Sequence, residues 1–396
     1  MAYATGIANN SSEIRAAIVS LATSNGWTEE LGSSTTITGT YSRSGTTVTV
    51  TSASHGIATG TSVYLDFTSG SASDNFFTVT GTTTNTFTIT HTASGTTSGN
   101  VIVYKPHIIS KSGVYVKLFA INDDVLLRIG TGYASNDITG AAARYVSMYG
   151  GTSTIDGYST GTIYQVTYPA TYHVFVNTLP DDIVCFVNYN VSWWQWLMVG
   201  QGNNLTNTLD PSDGKYQAGS FPWVLSRPDV HLSWNILVSG TEQQGSTLDY
   251  PAHTPFPFWA QDNTSTTGSL VNRAQGDSVA YGGVWRETNA STYGQNTTNA
   301  RRFASTFLNV LPNAWNDEIT LIRTLILYPE SSTQFIYIAE LPHIRFTRND
   351  NYNDGDTITL GSEQWMIFPG LRKNAASRSS GDDHSGTVAI AVRKTT

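Results

Sequence analysis

Residues Tyr41–Tyr104 read YSRSGTTVTVTSASHGIATGTSVYLDFTSGSASDNFFTVTGTTTNTFTITHTASGTTSGNVIVY, and only Arg43, Asp66 and Asp74 carry a formal charge there. Thr46–Thr51, Ser62–Phe67, Phe77–Thr80 and Thr86–His91 alternate apolar with polar residues, with Gly, Ser and Asn between them. A period of two marks half-buried antiparallel strands, because successive side chains point to opposite faces of a sheet. The flanks read differently: an amphipathic helical pattern precedes the block, and Ile108-Ile109-Ser110-Lys111-Ser112-Gly113-Val114-Tyr115-Val116 follows it. The sequence thus predicts a compact all-β module, spanning 35–105, inserted into a host domain and projecting outward from it. Such a module adds surface and contacts more readily than chemistry.

Working outward, Asn10–Ser24 is predicted as a helix. Asn10 can cap it, Glu13 stands at the capping-box position, and Ile14, Ile18 and Leu21 fall on one stripe. At about four turns it cannot bury a core alone, so it must pack on a sheet. Beyond the module, strands are expected at Val114–Phe119, Val125–Ile129, Ala143–Met148, Thr162–Thr167, Thr171–Asn177, Ile183–Tyr189 and Trp193–Val199. Pro180-Asp181-Asp182 is a turn signal. In Trp193–Val199, Trp194, Trp196 and Met198 point one way while Trp193 and Leu197 point the other, with polar Gln195 among them. A strand apolar on both faces is buried on both, in the centre of a domain or against another subunit.

Gly200–Ala300 is dominated by Asn, Gly, Ser, Thr, Gln and Pro, with one clear strand pattern at Val230–Val238. Loops of that length are uncommon inside a domain unless functional or ordered by neighbours. β patterning returns at Asp317–Tyr328, Phe335–Glu340, His343–Arg348, Asp356–Leu360, Gln364–Phe368 and Val388–Val392. The expected class is mainly β with one N-terminal helix: β-sandwich or jelly-roll-like domains plus the inserted module. The expected division is 1–34 and 106–210 for the host, interrupted by the module at 35–105, then 211–396 as a β-rich region with long loops.

Composition bounds function. Charged residues make up 13% of the 396 residues, about half of the ~25% usual in soluble domains. The net charge is −8 and no Lys/Arg cluster occurs, which argues against binding a nucleic-acid backbone. No stretch approaches the ~18 apolar residues of a membrane span, so no membrane insertion is expected. The opening MAYATGIANNSSEIRAA lacks the basic and apolar segments of a signal peptide, so synthesis in the cytosol is expected. Cys185, the only cysteine, lies in an apolar run and reads as a buried small hydrophobe.

Three constellations could carry chemistry. Asp382-Asp383-His384-Ser385-Gly386-Thr387 holds carboxylates, an imidazole and hydroxyls, but neighbours on a strand point apart, and a turn is the simpler reading. The loop Asn349–Asp356 is rich in oxygen ligands yet lacks the terminal Glu and flanking helices of a calcium-binding EF-hand. The third is aromatic. Trp193, Trp194 and Trp196 read as core or interface residues, while Trp223, Trp259 and Trp285 fall in loops and are better placed to touch a sugar. No Gly-x-Ser-x-Gly elbow, phosphate loop or His-Glu-x-x-His occurs. No enzyme activity, cofactor or metal is expected.

The tail carries a resemblance. Asp350-Asn351-Tyr352-Asn353-Asp354-Gly355-Asp356-Thr357-Ile358-Thr359-Leu360-Gly361, then Trp365-Met366-Ile367-Phe368-Pro369, Arg372-Lys373-Asn374 and His384-Ser385-Gly386-Thr387 resemble the C-terminus of a group of bacteriophage virion proteins. Tyr172–Asn177, Phe186–Val191 with Trp196-Leu197, and the helix ending Ser24-Asn25-Gly26-Trp27 resemble the same group. Residues 41–104 are in turn similar to β modules of phage structural proteins. The resemblance implies a structural component of the virion, in the tail or baseplate, made in the host cytoplasm. Its implied partners are other tail proteins and further copies of itself in a trimeric or hexameric arrangement. The alternatives are a receptor-binding or fibre-anchoring protein that recognises host glycans, and a neck or capsid component.

Overall fold

Trp193–Gln201, Asp182–Tyr189 and Ala170–Asn177 are successive antiparallel strands at the heart of the molecule. A computed structural model describes residues 1–32, 36–141, 145–151, 165–191, 193–205, 214–223, 258–260, 286–287, 301–302, 321–329, 335–348, 352–369 and 388–395. Among these, the fold is mainly β, with a single helix and several antiparallel sheets that do not close into a barrel.

The central sheet runs β1 (Ala2–Ala8), β13 (Ala170–Asn177), β14 (Asp182–Tyr189), β15 (Trp193–Gln201), β17 (Lys215–Gly219) and β19 (Phe258–Ala260). Both of its faces are covered. Val174, Val176, Ile183, Cys185, Val187, Trp193 and Leu197 join one core, and Phe175, Val184, Phe186, Trp194, Trp196 and Met198 join another. The alternation read in Trp193–Val199 is thus a double burial supplied by layers of the same chain. β17 joins this sheet by pairing with β15, Leu197 opposite Gly219.

On one side lies a flanking sheet ordered β18 (Phe221–Trp223), β12 (Tyr145–Met148), β9 (Asp124–Gly130), β8 (Val114–Ile121), β7 (His107–Lys111) and β2 (Thr28–Leu31). The helix α1 (Ser11–Ser24) packs in the same core through Ile14, Ile18, Val19 and Ala22. Asn10 caps it by accepting from the Glu13 N–H at 3.0 Å. The Glu13 carboxylate reaches back to the Asn9 N–H at 2.8 Å, one residue earlier than in the usual capping box. On the other side of the central sheet lies the C-terminal sheet: β16 (Asn203–Asn204), β23 (Phe335–Arg348), β26 (Val388–Thr395), β25 (Glu363–Pro369) and β24 (Thr357–Leu360), with β22 (Ile322–Pro329) on β23. Two short pairs, β10 (Gly132–Ala134) with β11 (Asp137–Thr139) and β20 (Arg286–Glu287) with β21 (Arg301–Arg302), complete the described strands.

Residues between β2 and β7 form a separate sheet of β3 (Ile37–Thr51), β4 (Ser62–Asp66), β5 (Asn75–Thr82) and β6 (Thr86–Tyr104), with its own core. β2 and β7 pair directly, Leu31 opposite Ile108, so the chain leaves and re-enters the flanking sheet at adjacent strands. The long β3–β6 ribbon folds over where its register shifts, at Gly45 opposite Gly95. Its two ends then meet: the Ser52 hydroxyl donates to the Thr38 carbonyl at 3.0 Å, and a Cβ on Gly39 would stand 2.4 Å from the Thr51 oxygen.

The module does not simply project outward, as its composition led us to expect. It lies on the face of the flanking sheet turned away from the central sheet. Phe76 stacks on Tyr145 at 4.7 Å and packs on Phe119 at 5.1 Å, the Tyr104 hydroxyl donates to Asn122 Oδ1 at 2.5 Å, and Asn136 Nδ2 donates to the Thr59 carbonyl at 3.0 Å. Gly60 fits against Ser135 so closely that a Cβ would be 2.1 Å from its carbonyl oxygen. Four sheets therefore stack in order: inserted, flanking, central, C-terminal.

Three other expectations change. β1 was not foreseen, because Ala2–Ala8 is short, small and weakly alternating. Phe335–Glu340 and His343–Arg348 are one continuous strand, β23, pairing on both sides. Gln165, Val166 and Thr167 are not strand, and the rest of the Thr162–Thr167 strand expectation, with Val230–Val238, lies outside the described residues.

Candidate functional site

Among the described residues that carry the resemblance, Asp354, Gly355, Asp356 and Phe368 lie at the joint between the central and C-terminal sheets. The Asp354-Gly355-Asp356 turn leads into the β24–β25 hairpin. Gly355 has φ +81 and Gly361 has φ +62, left-handed conformations that favour glycine. The turn is held by Asp356 Oδ2, which accepts from the Asn353 N–H at 2.6 Å, and by the Ile367 N–H donating to the Asp356 carbonyl at 2.9 Å. β25 then carries Phe368 into an aromatic seam. Its ring stacks on Phe186 at 4.3 Å and meets Trp194 at 5.2 Å, His173 at 5.3 Å and Phe175 at 5.9 Å edge to face. Trp194 Nε1 donates to Asp354 Oδ2 at 2.9 Å, fastening the turn to the central sheet.

At the rim of the seam, the Tyr3 hydroxyl bonds His173 Nδ1 at 2.8 Å, and Lys394 Nζ lies 4.8 Å above the Tyr3 ring. Burial, helped by the Lys394 charge, lowers the His173 pKa to about 4, so its imidazole is neutral at pH 7. The group is a neutral bridge between β1 and the seam.

A polar tie lies at the same joint. His343 Nδ1 stands 2.7 Å from Asp182 Oδ2, and Asn177 Nδ2 donates to Asp182 Oδ1 at 2.5 Å. A His–Asp pair is the orienting half of many acid–base sites. Here the side chains are 3% and 1% exposed, so no substrate can reach the imidazole. Burial and the Asp182 charge push the Tyr216 phenol well above its ordinary value, keeping it protonated. Next door, Asp181 leaves the tie for the surface, pairing with Lys111 at 3.0 Å and accepting from Ser112 at 2.7 Å. A second buried group holds the other face of β15. The Gln195 amide accepts from the Tyr149 N–H at 2.5 Å and donates to the Tyr149 carbonyl at 3.2 Å and the Tyr189 hydroxyl at 3.3 Å.

The sequence-predicted residues divide sharply. Trp193, Trp194 and Trp196 are 8%, 4% and 0% exposed. They are core residues of this chain, buried between its own sheets, and present no ring to a subunit or a sugar. Trp223 and Trp259 lie on short strands, β18 and β19, rather than in loops. Trp285 lies outside the described residues, as do Asp382, Asp383, His384 and Asn349–Asn351. Cys185 is buried, and burial pushes its thiol pKa well up, as suits an inert hydrophobe. Sequence reading missed the Asn177–Asp182–His343 tie. The available signal was Asp182 itself, a carboxylate heading a strand that is apolar on both faces and so obliged to find a buried partner. Among the described residues, no group of three or more His, Cys, Asp or Glu side chains is arranged to hold a metal ion.

No protein-family model matches the chain, and no curated protein matches it. Among solved structures it is similar to the phage phi92 endosialidase, at 14% identity and a TM-score of 0.14, over 93% of this chain and 52% of that one. The chain thus spans about half the length of that protein. At so low a score the two folds do not superpose, and the likeness says nothing about activity.

Proposed function

We propose that this chain is a structural component of a bacteriophage virion, in the tail or baseplate, acting through contacts with other tail proteins and with further copies of itself. One observation carries the reading. Asp354, Gly355, Asp356, Gly361 and Phe368, which bear the resemblance to virion proteins, are the residues that build and fasten the joint between two sheets. A motif spent on holding layers together specifies a framework rather than a reaction. The ionisable residues at the joint are likewise occupied in ties: Asp182 with His343, Asp181 with Lys111, and Asp354 with Trp194. A stack of sheets tied at each joint suits a part that bears load in a symmetric assembly.

Antibody labelling of intact particles by electron microscopy tests the proposal. Label at the tail or baseplate is the expected result; label confined to the capsid shell or the neck would overturn the placement. The receptor-binding alternative would place its glycan contacts at Trp223, Trp259 and Trp285.

A further inference from the structure

β1 ends the central sheet, and it is an edge without protection. An edge strand exposes backbone N–H and C=O groups that another strand can claim, and folds ordinarily block it with charges, bulges, proline or brevity. The other edges of the larger sheets, among the described residues, follow that rule. β2 carries Glu29 and Glu30 and shifts register between Glu29 and Leu31. β3 carries Arg43 and shifts between Gly45 and Thr47, and β22 carries Arg323 and shifts twice. β18 is three residues long with Pro222 in the middle, β19 is three residues, β16 two and β24 four. β1 has none of these devices. Its seven residues, Ala2-Tyr3-Ala4-Thr5-Gly6-Ile7-Ala8, include no charge and no proline, and they pair with β13 in unbroken register. Among the described residues, no strand lies on its other side.

The side chains of β1 also complement a second β1. Tyr3, Thr5 and Ile7 alternate onto the face where Tyr3 packs with Phe175, while Ala8 joins the core on the opposite face. Ile7 is 68% exposed. When two β1 strands run antiparallel about a twofold axis at Thr5, Tyr3 stands opposite the partner's Ile7, Ala4 opposite the partner's Gly6, and Ala2 opposite the partner's Ala8. Opposite residues bring their Cβ atoms to about 4.5–5.5 Å, and an aromatic ring beside a β-branched chain is a favourable pair. The pairing covers Ile7 and sets only small residues against one another on the other face. It also gives the outward backbone groups their partners, about six hydrogen bonds in a ladder of this length.

We infer that this protein self-associates through β1, two copies joining their central sheets edge to edge across a twofold axis. The unclaimed backbone groups call for a strand, and the self-complementary side chains select a second copy of this one. Twofold contacts close dimers and also build dihedral hexamers. The inference deepens one element of the proposed function, the contact between copies, and it is tested in solution, where placement in the particle plays no part.

Sedimentation velocity of the intact protein across a concentration series is expected to show a monomer–dimer equilibrium. Thr5→Lys sets like charges opposite each other on the axis, and Ile7→Lys places a charge on the edge. Each is expected to weaken dimerisation at least ~10-fold with an unchanged thermal midpoint; both positions are exposed, so no core residue is lost. Disulfide trapping reads the register, because the one native cysteine, Cys185, is buried. Thr5→Cys meets its own copy on the axis and is expected to cross-link under mild oxidation. Ile7→Cys lies about 14 Å from its copy in this register, beyond the reach of a disulfide, and is expected not to. If a lysine variant fails to fold, the cysteine pair decides. A wild type that stays monomeric overturns the inference, as do dimers that the lysine variants leave intact, or cross-linking through Ile7→Cys rather than Thr5→Cys.

Discussion

The inserted and central sheets are both antiparallel, yet they solve burial in opposite ways. The central sheet spends both faces on apolar cores, with Trp193 and Leu197 on one and Trp194, Trp196 and Met198 on the other. The inserted sheet buries one face, Val48, Val50, Phe87 and Ile89, and gives the other to threonine. The difference teaches what each sheet's position in the stack allows its two faces to be. The double-faced sheet is fixed by neighbours on both sides, whereas the single-faced sheet closes its own core with one face and meets solvent, and through Phe76 the flanking sheet, with the other.

That contrast can be broken by substitution. Trp196→Ala removes a fully buried ring from the central sheet and is expected to cost about 3–5 kcal/mol in urea unfolding; a loss below ~1 kcal/mol would mean the layers are not packed as described. His343→Ala leaves Asp182 buried with one partner fewer and is expected to cost about 3 kcal/mol. Next comes Phe76→Ala, which loosens the module from the flanking sheet. We expect a loss of roughly 1–2 kcal/mol and new proteolytic cleavage between Leu31 and Ile37, where the module begins, with the module's own strands still protected from hydrogen exchange. Exchange throughout the module at the same rate as the junction would contradict its independent core.

A pH dependence is expected from two buried histidines, one at the joint and one in the flanking sheet. His173 has a folded pKa of about 4, below its ordinary value of about 6.5, so the unfolded chain binds the proton more tightly. His107 is shifted in the same direction by burial, which outweighs the raising influence of Glu29. Stability is therefore fully present above about pH 6.5 and declines as pH falls from 6.5 towards 4. His173→Gln, which retains a partner for Tyr3, is expected to flatten that decline; an unchanged slope in pH-dependent thermal unfolding would show that the imidazole titrates normally.

Much of this architecture was legible in the chain, and for identifiable reasons. Val48, Val50, Phe87 and Ile89 announced a one-sided sheet because alternation survives wherever one face meets water. Trp193–Val199 announced a two-sided one because both its phases are apolar. Asn10 and Glu13 gave the helix start through local hydrogen bonds alone. What could not be read depends on contacts distant in sequence. Nothing in Ala2–Ala8 says that it will pair with Ala170–Asn177, since the partner supplies the reason for the strand. Asp182 reads as a turn residue until His343 is brought to it. The buried tryptophans looked like candidate contacts because a large ring serves a core and an interface equally well; only the C-terminal sheet, folding over Trp194 and Trp196, decides between them.

The pairing of β1 with β13 also sets a timetable for biosynthesis. The inserted sheet is complete once Tyr104 has emerged from the ribosome, and it can close while the remainder is still being translated. β1, made first, has no mate until Asn177 appears, and at roughly 5–20 residues per second it waits on the order of ten seconds or more. For that interval the nascent chain carries a finished module beside an unclaimed strand, and the central layer is assembled from earlier and later residues together.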